Sequence, residues 1–576
     1  MVSREKNQID QLDKLRHSAA HLAAHALIEL YPNVILTIGP ATQDGFFYDV
    51  LLSKNLTQED LPVIEEKMHE ISNRNLELKH KEIEKTEARK IFKDNKFKLE
   101  LIESIPGDTV GLAIQGNFID LCKGGHVKST GDIKHFKLTG LSGSYWRADK
   151  KNQQLQRIHG TAFITQEDLE NYEKLQQELQ QYDHRRLGKQ LELFSFSPEA
   201  HGFPFFHPKG KAVINVLISY MRNFHKAYNY KEVSTPTLLN DDLWRRSGHY
   251  DFYKENMYFT CVDDESYAIK PMNCPGAFLI YKSRPRSYRE LPLKLAEFGH
   301  VHRHELSGVL HGLMRVRAFT QDDAHIFCTT DQIENEIKTI LTITSQVLER
   351  CEFKNVKLAL STKPKKALGS DELWQKATDS LKNALENFGK EYVIKEGEGA
   401  FYGPKIEVGM TDSSGRAWQC GTIQVDFFQS ENFDLTYVSD KGEFARPVII
   451  HTAIYGSLER FFAILLEHYK GHLPFWLAPI QVKILSITDK QKEYALNIFD
   501  NFKKGGFRVE FDDTSDPIGA KIKNAQLQKI PFMVIVGQKE VDNNTISFRL
   551  SDGSQRLNIS LENALKEMHE LNAFNI

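Results

Sequence analysis

The stretch HVHRHELSGVLHGLMRVRAFTQDD, residues 300–323, decides which fold the sequence predicts. Its two halves are rich in β-forming residues and flank a loop that contains glycine, a pattern typical of strand, turn and strand. Arg303 and Glu305 end the first half, and Arg315 and Phe319 lie in the second. Arginines on a β platform can neutralise phosphate oxygens and support an in-line displacement without a phosphate-cradling loop. Taken alone, the same arginines could be ordinary surface charges.

Familiar nucleotide-binding motifs are missing from the sequence. No G-x-x-x-x-G-K-[ST] segment occurs, and Gly397, Gly399 and Gly403 miss the G-x-G-x-x-G spacing by one residue. A bound nucleotide therefore has to be held in another way. Arg460 in GSLERFF, at the predicted start of a helix, adds a further cation for this purpose.

Length and composition define the broad class of the protein. The chain has 576 residues, of which 41% are hydrophobic and 26% charged, as in globular proteins, so disordered, collagen-like and disulfide-scaffold classes are excluded. That length suits roughly three or four domains. Lys plus Arg number 74 and Asp plus Glu 77, so the net charge of −3 does not indicate a general nucleic-acid binder.

The sequence shows no signal for export or membrane insertion. The start, MVSREKNQIDQLDKL, has no apolar signal core, and no apolar run of about 18 residues could span a bilayer. We therefore expect a cytoplasmic protein with no membrane partner. The six cysteines include no Cys-x-x-Cys pair and are too sparse for a disulfide framework, so they are interpreted as thiols or metal ligands.

Changes in periodicity divide the chain into four parts. The predicted boundaries are 1–164, 165–182, 183–475 and 476–576. The first part mixes helix and strand and opens with LDKLRHSAAHLAAHALIELY, whose apolar residues recur at helical spacing. Thr165 and Asp168 form a predicted capping box for a connecting helix, which we expect to end at Gly188. The third part predicts a sheet surrounded by helices, and the fourth a compact α/β domain.

Histidines and cysteines suggest two possible metal sites. His17 and His21 lie one helical turn apart, and Cys122 and His126 repeat the four-residue separation. These four residues predict either a zinc site or ordinary helix-surface histidines. Cys274 follows KPMN and is accompanied only by scattered histidines, so spacing alone makes a weak case for zinc there.

Longer motifs connect these features to a known family. The strings KPMNCPG, SGVLHGLMRVRAFTQDDAHIF, GEGAFYGPKIE, RAWQCGTIQVDF and PVIIHTAIYGSLERF resemble those of the threonyl-tRNA synthetase family, which belongs to the class II aminoacyl-tRNA synthetases. The segments around Arg303 and Arg315 resemble class II motif 2, GSLERF resembles motif 3, and Pro236 in NYKEVSTPTLL resembles motif 1. The resemblance spans nearly the whole chain, from His17 to the C-terminal domain.

The resemblance implies an α+β multidomain fold. Its implied parts are an N-terminal α+β editing domain at 1–164, a linker helix at 165–182, a class II antiparallel-sheet catalytic domain at 183–475 and a C-terminal α/β anticodon-binding domain at 476–576. Bacterial members usually begin with a small β-grasp domain. Because the editing helix is expected to begin near Leu12, we expect a bacterial type that lacks this domain.

The activity implied by the resemblance is that of a threonine-tRNA ligase. Such an enzyme activates L-threonine with ATP and Mg²⁺, and then transfers it to the 3′ end of tRNA(Thr). One Zn²⁺ per subunit is implied, held by Cys274, His325 and His451 and used to bind the amino and hydroxyl groups of threonine. Three ligands leave a position open, and a valine side chain would leave it unfilled. Motif 1 implies a homodimer.

Serine is not excluded by such a pocket, because it keeps both polar groups and lacks only a methyl, a difference worth about 1–3 kcal/mol. We therefore expect a second, hydrolytic site that removes serine from seryl-tRNA(Thr). The residues that the resemblance assigns to editing are His17, His21, Asp120, Cys122 and His126, with Lys98 as a further candidate. In the family this site is thought to act through positioned water without a bound metal.

The remaining site residues are also assigned by resemblance. The expected ATP ligands are Arg303 for the α-phosphate, Arg315 and Arg460 for the outer phosphates, Phe319 and Glu305 for adenine, and Gln419. The expected threonine ligands are Gln321, Asp323, Tyr402 and Gln424. His249 is expected to assist transfer to the tRNA ribose, so the catalytic set is Arg303, Arg460 and His249. Glu540 and Arg549 are expected to read anticodon bases, since both side chains can bond base edges.

Two rival interpretations stay open at this stage. A catalytically silent, synthetase-like RNA-binding regulator would be favoured if Arg303, Arg460 or the zinc ligands were missing, and none is missing. A metallohydrolase centred on the His17 group would need stoichiometric metal. The family pattern is not fully kept, because His304, Val309 and Ala318 replace the usual residues in and beside the motif 2 loop.

Overall fold

The computed structural model of the protein describes residues 2–42, 44–149 and 151–573. The chain divides into two compact units, residues 1–178 and 179–576. The four finer boundaries given above stay predictions.

The first unit combines helices with antiparallel sheets. Its helices are α1 Val2–Leu30, α2 Asp60–Asn73, α3 Lys85–Ile91, α4 Lys96–Ser104 and α5 Gln166–Gln181, the last running into the second unit. Its strands are β1 Ile35–Leu36, β2 Ala41–Thr42, β3 Gly45–Leu51, β4 Leu78–Glu84, β5 Thr109–Gln115, β6 Phe118–Leu121, β7 His135–Tyr145 and β8 Gln154–Phe163. They form one sheet in the order β1-β3-β8-β7, with β2 on β3, and another in the order β4-β5-β6.

Helix α1 packs its predicted apolar face into the core of this unit. Leu15, Ala19, Leu22, Ala23 and Ala26 are all buried, which confirms the predicted helical period. The helix begins at Val2 rather than near Leu12, because helix propensity can extend a helix beyond its apolar stripe. His17 and His21 therefore lie on a rigid element.

The connecting helix has the predicted cap but a different end. The Thr165 hydroxyl accepts the Asp168 N–H at 3.1 Å and donates to the Asp168 carboxylate at 2.6 Å. The prediction that the helix ends at Gly188 is wrong, because α5 ends at Gln181 and a second helix follows. Gly188 lies inside that second helix, where a Cβ atom would approach Phe194 Cε1 to 2.3 Å. The glycine therefore serves close packing and not helix termination.

The second unit is larger. Its helices are α6 His184–Gln190, α7 Pro208–Ala227, α8 Asp242–Arg246, α9 His249–Tyr253, α10 Cys274–Lys282, α11 Ile333–Arg350, α12 Asp371–Phe388, α13 Gln429–Asn432, α14 Leu458–His468, α15 Lys492–Lys504, α16 Ile518–Leu527, α17 Gln538–Asn543 and α18 Leu561–Asn572. Its first fifteen described strands, in chain order, are β9 Phe194–Ser195, β10 Phe205–Phe206, β11 Lys231–Glu232, β12 Leu238–Asn240, β13 Tyr258–Val262, β14 Glu265–Ile269, β15 Leu293–His302, β16 Ala318–Cys328, β17 Lys354–Ser361, β18 Tyr392–Lys395, β19 Lys405–Thr411, β20 Ala417–Asp426, β21 Tyr437–Val438, β22 Phe444–Ala445 and β23 Val448–Ser457. The strands that follow are β24 Val482–Ser486, β25 Val509–Asp512, β26 Phe532–Val536, β27 Ile546–Leu550 and β28 Gln555–Ile559.

The central sheet has the order β11-β15-β16-β23-β20-β19-β17-β18. Its neighbours from β15 to β17 pair antiparallel, and only the outer pairs β11·β15 and β17·β18 of the described sheet are parallel. Apolar residues of this sheet share one core with helices such as α7, α11, α12 and α14. The predicted antiparallel catalytic sheet with flanking helices is confirmed.

The predicted strand, loop, strand pattern at residues 300–323 is also present. Strand β15 ends at His302 and β16 begins at Ala318, so Arg303 and Arg315 lie in the connecting loop. Beyond the central sheet, β25-β24-β26 pair in parallel and β26-β27-β28 antiparallel, with α15 and α18 packed against them. This matches the predicted C-terminal α/β domain.

Candidate active and editing sites

A cavity of about 290 Å³ opens on the central sheet. Its lining includes predicted ligands of zinc, threonine and the α-phosphate, namely Cys274, Arg303, Gln321, Asp323, His325, Tyr402, Gln424 and His451. These residues come from distant segments of the sequence, so it is the fold that brings them to one place.

Three of them form a group that we call the central cluster: Cys274, His325 and His451. The two histidines are direct cross-strand partners on β16 and β23, with ring centroids 4.9 Å apart. Cys274 is the first residue of α10, and the potential ligand atoms of all three lie within 4.8 Å of one another. His325 Nε2 is buried and has no hydrogen-bond partner among the described residues.

Burial controls the protonation of this cluster. Burial and the nearby His451 lower the pKa of His325 well below its ordinary value, so its imidazole is neutral. Burial also raises the pKa of the Cys274 thiol. A neutral imidazole with an unused lone pair beside a buried thiol is a donor set that suits zinc.

Asp426 holds one member of the central cluster in place. One of its carboxylate oxygens lies 3.1 Å from His451 Nε2. The other accepts the N–H groups of Phe428 at 2.8 Å and Gln429 at 3.0 Å. Metal-ligating histidines commonly use their second nitrogen in this way. The sequence analysis missed Asp426, and the only available signal was an acidic residue at the end of an apolar strand.

His249 lies next to the same cluster and is fully buried. Its Nδ1 is 2.8 Å from Ser247 Oγ, and its Nε2 is 3.0 Å from Met272 Sδ and 3.9 Å from Cys274 Sγ. Burial, His451 and Arg303 lower the pKa of His249 to about 3, so the ring is neutral. One of its ring nitrogens therefore carries a proton and the other a lone pair.

The expected threonine ligands lie beside the cluster. Tyr402 donates its hydroxyl to Gln424 Oε1 at 2.5 Å, and its ring centroid is 4.9 Å from that of His451. Asn273 donates to Asp323 at 3.2 Å. Burial raises the pKa of Asp323 to about 6, against the opposing influence of His451 and Asn273. The pocket thus pairs a carboxylate with neutral hydrogen-bonding groups.

The neighbouring Asp322 has a structural role that the sequence analysis also missed. It accepts the N–H groups of Ile454, Tyr455 and Gly456, each at 2.9 Å. The register of β16 and β23 shifts between Gln321 and Asp323, so Asp322 satisfies the backbone where the ladder is interrupted. Burial still raises its pKa to about 7.

Of the expected ATP ligands, Arg303 lines this cavity. The Arg303 guanidinium carbon lies 5.0 Å from the Phe319 ring centroid, and its Nε donates to the Pro271 carbonyl at 3.2 Å. Arg460, in the first turn of α14, lies 5.8 Å from the Trp418 ring centroid, and its buried Nε has no partner among the described residues. Gln419 lines a separate cavity of about 290 Å³ together with Trp418.

Two of the expected ATP ligands contact each other. Arg315 Nε donates to the Glu305 carboxylate at 3.0 Å, and Arg315 Nη2 lies 2.9 Å from the same carboxylate oxygen. Arg317 instead donates to the backbone carbonyls of Glu305 at 2.9 Å and His201 at 3.1 Å. Arg317 therefore shapes the loop, whereas Arg315 holds an ion pair that a bound nucleotide could replace.

The first unit contains what we call the N-terminal cluster: His17, His21, Cys122 and His126. Cys122 Sγ lies 3.3 Å from His17 Nε2 and 3.2 Å from His126 Nε2, and the Nε2 atoms of His17 and His21 are 3.3 Å apart. A cavity of about 720 Å³ adjoins it, lined among others by His17, His21, Lys98, Asp120 and Cys122. The fold therefore brings every predicted editing residue except His126 to one cavity wall, with His126 in contact with Cys122.

Asp120 links the N-terminal cluster to two neighbouring side chains, Tyr48 and Lys98. It accepts the Tyr48 hydroxyl at 2.5 Å, pairs with the Lys98 ammonium group and lies 3.1 Å from His21 Nδ1. All of these side chains are buried. Tyr48 was not predicted, since a tyrosine in an apolar strand carries no distinctive signal. His25 belongs elsewhere, because its Nδ1 contacts Gln115 at 2.8 Å and its Nε2 contacts Glu29 at 3.2 Å.

Charge is concentrated within the N-terminal cluster. Burial opposes the charged form of His21, but Asp120 and Cys122 outweigh it and raise the pKa of His21 to about 9. Burial likewise opposes the Cys122 thiolate, yet His126, His17 and His21 lower the pKa of Cys122 to about 3. Lys98 and His21 similarly lower the pKa of the buried Asp120. Thiolate, imidazolium and carboxylate therefore coexist at neutral pH.

The two predicted anticodon contacts lie in the C-terminal part. Glu540 accepts the Gly537 N–H at 2.9 Å and the Ser547 hydroxyl at 2.7 Å, so its carboxylate holds local structure. Arg549 lies on β27, and its buried Nε has no partner among the described residues.

Three segments of the chain match known families. Residues 259–469 match the tRNA synthetase class II core domain (G, H, P, S and T), residues 481–571 the anticodon binding domain, and residues 110–159 the threonyl and alanyl tRNA synthetase second additional domain. The chain is 50% identical over 567 residues to a threonine–tRNA ligase of Clostridium tetani, covering 96% of this chain and 89% of that protein. It belongs to the threonine–tRNA ligase family.

Another ligase sequence and two solved structures are also similar to this chain. A threonine–tRNA ligase of Thermotoga maritima is 51% identical over 557 residues, covering 96% of this chain and 87% of that protein. The RNA binding domain of threonyl-tRNA synthetase from Cryptosporidium parvum superposes with a TM-score of 0.67 at 42% identity, covering 68% of this chain and 99% of that one. A putative threonyl-tRNA synthetase from Aeropyrum pernix gives a TM-score of 0.59 at 31% identity, covering 68% and 95%.

Family membership confirms several predictions. The chain is an aminoacyl-tRNA synthetase, with a class II core, an anticodon-binding domain and a domain of the editing type. ATP, an amino acid and tRNA are the substrates of such an enzyme, and the silent regulator is not favoured. No described helix is long and apolar enough to cross a membrane.

Proposed function

We propose that this chain activates L-threonine with ATP, transfers it to the 3′ end of tRNA(Thr), and hydrolyses seryl-tRNA(Thr) at a separate site. The central cluster on the wall of the ≈ 290 Å³ cavity carries this proposal. It supplies a means of recognising an amino acid that carries both an amino group and a β-hydroxyl.

The metal in this proposal is one Zn²⁺ per subunit. Cys274, His325 and His451 would hold it, since the unpaired lone pair of His325 Nε2 and the buried thiol match the ligands that zinc prefers. Bound with three protein ligands, zinc supplies an open position that a threonine hydroxyl can fill and a valine methyl cannot.

Threonine is oriented by the groups around the cluster. Asp323 is placed to accept the substrate ammonium group, and Gln321, Tyr402 and Gln424 to bond its remaining polar atoms. A threonine held in this way presents its carboxylate toward Arg303. Because the reacting groups are fixed when the substrates bind, the entropy of bringing them together is lost on binding and no longer adds to the activation barrier.

Activation is an in-line displacement at the α-phosphate of Mg-ATP. A threonine carboxylate oxygen forms the new bond to phosphorus, and pyrophosphate leaves with the electron pair of the broken bond. Arg303 neutralises the α-phosphate while Arg315 and Arg460 hold the outer phosphates. Phe319 stacks on adenine, Gln419 contacts the nucleotide, and Glu305 exchanges Arg315 for the adenine amino group.

Transfer then moves the threonyl group to the tRNA. A terminal ribose hydroxyl attacks the carbonyl carbon of the adenylate, and AMP leaves. His249, neutral and buried beside Cys274, is placed to assist loss of the hydroxyl proton. Arginine and glutamate at positions 549 and 540 are the proposed anticodon contacts in the C-terminal domain.

Editing uses the N-terminal cluster. We propose that water attacks the ester carbonyl of seryl-tRNA, and that the serine–ribose bond breaks. His17, His21, Cys122 and His126 orient that water, and Asp120 keeps His21 in position. We propose that this hydrolysis proceeds without a metal, because Asp120 and Lys98 supply charges beside the cluster.

The assembly proposed for this enzyme is a cytoplasmic homodimer formed through motif 1, around Pro236. The domains proposed are editing at 1–164, linker helix at 165–182, catalytic at 183–475 and anticodon-binding at 476–576.

ATP–pyrophosphate exchange tests the activation site. The purified chain, loaded with zinc, is assayed with threonine, serine and valine in parallel. Exchange with threonine, weaker exchange with serine and none with valine are expected. Absence of exchange with all three would contradict the proposal, and equal exchange with valine would contradict the role of the central cluster.

A further inference from the structure

His184, the first residue of α6, is a fully buried histidine outside both clusters. Its Nδ1 lies 2.7 Å from Glu467 Oε1, and the same oxygen accepts the His184 backbone N–H at 3.0 Å. The Leu313 backbone N–H donates to its Nε2 at 3.1 Å. Since a backbone N–H can only donate, Nε2 carries the lone pair and Nδ1 carries the proton. Both ring nitrogens are thus committed, and none is left for a metal.

The contacts that start at His184 Nε2 lead to Arg315. Leu313 lies in a tight turn in which His311 and Arg315 bond each other, with His311 N–H to Arg315 O at 3.2 Å. Gly312 in that turn has φ +48°, and a Cβ atom there would approach His184 Nε2 to 2.1 Å. The turn is therefore built against His184, and Arg315 is the residue that closes it.

The contacts that start at His184 Nδ1 lead through Glu467 to Arg460. The second carboxylate oxygen of Glu467 pairs with the Arg416 guanidinium, which also bonds Asp412 at 2.9 Å through its Nε. Asp412 accepts the Trp418 indole N–H at 2.8 Å. The Trp418 ring is thereby fixed, and Arg460 lies over it at 5.8 Å.

We infer that His184 is a positioning residue for ATP, which sets Arg315 through the Leu313 turn and Arg460 through Glu467, Arg416 and Trp418. Nothing in the sequence motifs assigns it this role, because it lies more than a hundred residues before the motif 2 loop. The inference rests on the proposed function, in which these two arginines hold the outer phosphates.

Two substitutions separate the two ring nitrogens. In His184→Asn the side-chain amide N–H can replace Nδ1–H toward Glu467, but no acceptor reaches the Leu313 N–H. In His184→Gln the longer side chain can place its carbonyl oxygen at the position of Nε2. Full-length variants are assayed by ATP–pyrophosphate exchange with threonine, with KM measured for both substrates.

For His184→Asn we expect the KM for ATP to rise roughly tenfold while the KM for threonine stays unchanged, since one hydrogen bond that positions a phosphate ligand is lost. His184→Gln keeps an acceptor for the Leu313 N–H and the backbone bond to Glu467 but loses the side-chain bond to Glu467, so its KM for ATP should rise less than that of His184→Asn without returning to the unmodified value. Hydrogen exchange at the Leu313 amide should accelerate in His184→Asn and stay slow in His184→Gln. A structural role alone would raise both KM values together.

His225→Asn is the matched control. His225 is also a buried histidine of this unit, but it packs against the rings of Tyr230 and Phe298, and its Nδ1 has no partner among the described residues. Its KM for ATP should equal that of the unmodified chain. An unchanged KM for threonine, whose proposed site lies in the same unit, reports whether this unit is folded in each variant.

The outcomes separate this inference from the proposed function. If Arg315→Ala weakens ATP binding and His184→Asn does not, the positioning role of His184 is wrong while the proposed function stands. If Arg315→Ala itself leaves the KM for ATP unchanged, both fail. Should His184→Asn fold poorly, Glu467→Gln replaces it, because it keeps an acceptor for Nδ1–H but removes the charge facing Arg416. An unchanged KM for ATP in Glu467→Gln would then overturn the inference.

Discussion

The N-terminal cluster and the central cluster contain the same two residue types and differ in what satisfies them. In the N-terminal cluster, Cys122 contacts His17 and His126 at 3.3 and 3.2 Å. In the central cluster, His325 Nε2 is buried without a partner in the described chain, and the Cys274 thiol has a raised pKa. His21 Nδ1 of the first group also lacks a hydrogen bond among the described residues, but it lies 3.1 Å from the Asp120 carboxylate, whereas His325 of the second group lines the cavity of about 290 Å³.

This difference teaches that the same two residue types can be given different charges by their surroundings. Charged neighbours decide the difference here, since Lys98 and Asp120 lie against the N-terminal cluster and fix its charges internally. The central cluster has instead a single carboxylate on His451 and a cavity in front of it. In the proposed function, the same residue types would serve water-based hydrolysis in one unit and metal-based recognition in the other.

Metal removal should give the largest effect. We expect chelation to lower threonine activation by roughly 10³-fold, because the amino acid loses its main electrostatic anchor. Hydrolysis of seryl-tRNA(Thr) by the same sample should be unchanged. Both rates are measured on one preparation before and after dialysis against chelator, and readdition of zinc should restore activation.

Loss of hydrolysis together with activation would show that the N-terminal cluster also depends on metal. That result would favour the metallohydrolase interpretation of His17, His21, Cys122 and His126. It would also contradict the contrast drawn between the two clusters.

The second largest effect is expected for Asp120→Asn. The amide cannot balance the Lys98 and His21 charges, so deacylation of seryl-tRNA(Thr) should fall roughly 10²-fold while activation is unchanged. Asp49→Asn is the matched control, because Asp49 is a buried carboxylate of the same unit that binds Arg157 at 2.7 and 2.8 Å. Equal losses in the two variants would point to general destabilisation of the unit.

Sequence reasoning reached most of the fold through long-range motifs and local period. The antiparallel core was implied by the family resemblance of strings such as the one at residues 300–323, and α1 follows from its apolar stripe. The end of the connecting helix was wrong, because Gly188 is a packing glycine beside Phe194, and a glycine's packing partner is not visible in sequence.

The site was predictable only where a motif reaches the substrate. Tyr48, Asp322 and Asp426 act through other residues, by bonding Asp120, a backbone bulge and His451. Each lies in a strand, and its partner lies far away in sequence. Such supporting contacts depend on tertiary register, which local spacing does not encode.

Asp426→Asn should have a smaller effect, which separates the affinity for zinc from the rate of threonine activation. In Asp426→Asn the acceptor that fixes His451 is weakened, so zinc affinity should fall by about 10–100-fold, while activation at saturating zinc stays near that of the unmodified chain. Competition with a zinc-binding dye measures the affinity. Asp120→Asn is the control from the other cluster and should leave it unchanged. Unaltered zinc affinity in Asp426→Asn would remove Asp426 from the support of the metal site.

The smallest signal concerns the charge state of Cys122. His126, His17 and His21 lower its pKa to about 3 despite burial, so this thiol is ionised above that pH and becomes neutral only as the pH falls through about 3. Ordinary thiols stay protonated until about pH 8.5. At about pH 6 the metal-free protein should therefore show thiolate absorbance that Cys122→Ser removes.

Cys351→Ser provides the contrast, because burial raises the pKa of Cys351 and leaves no thiolate to lose at that pH. Replacing one buried cysteine should thus change the spectrum and replacing the other should not. If Cys122→Ser left the absorbance unchanged, Cys122 would not be a thiolate facing the charged His21, and the electrostatic difference between the two clusters would disappear. The cluster would then resemble the central one, with donor atoms free for an ion.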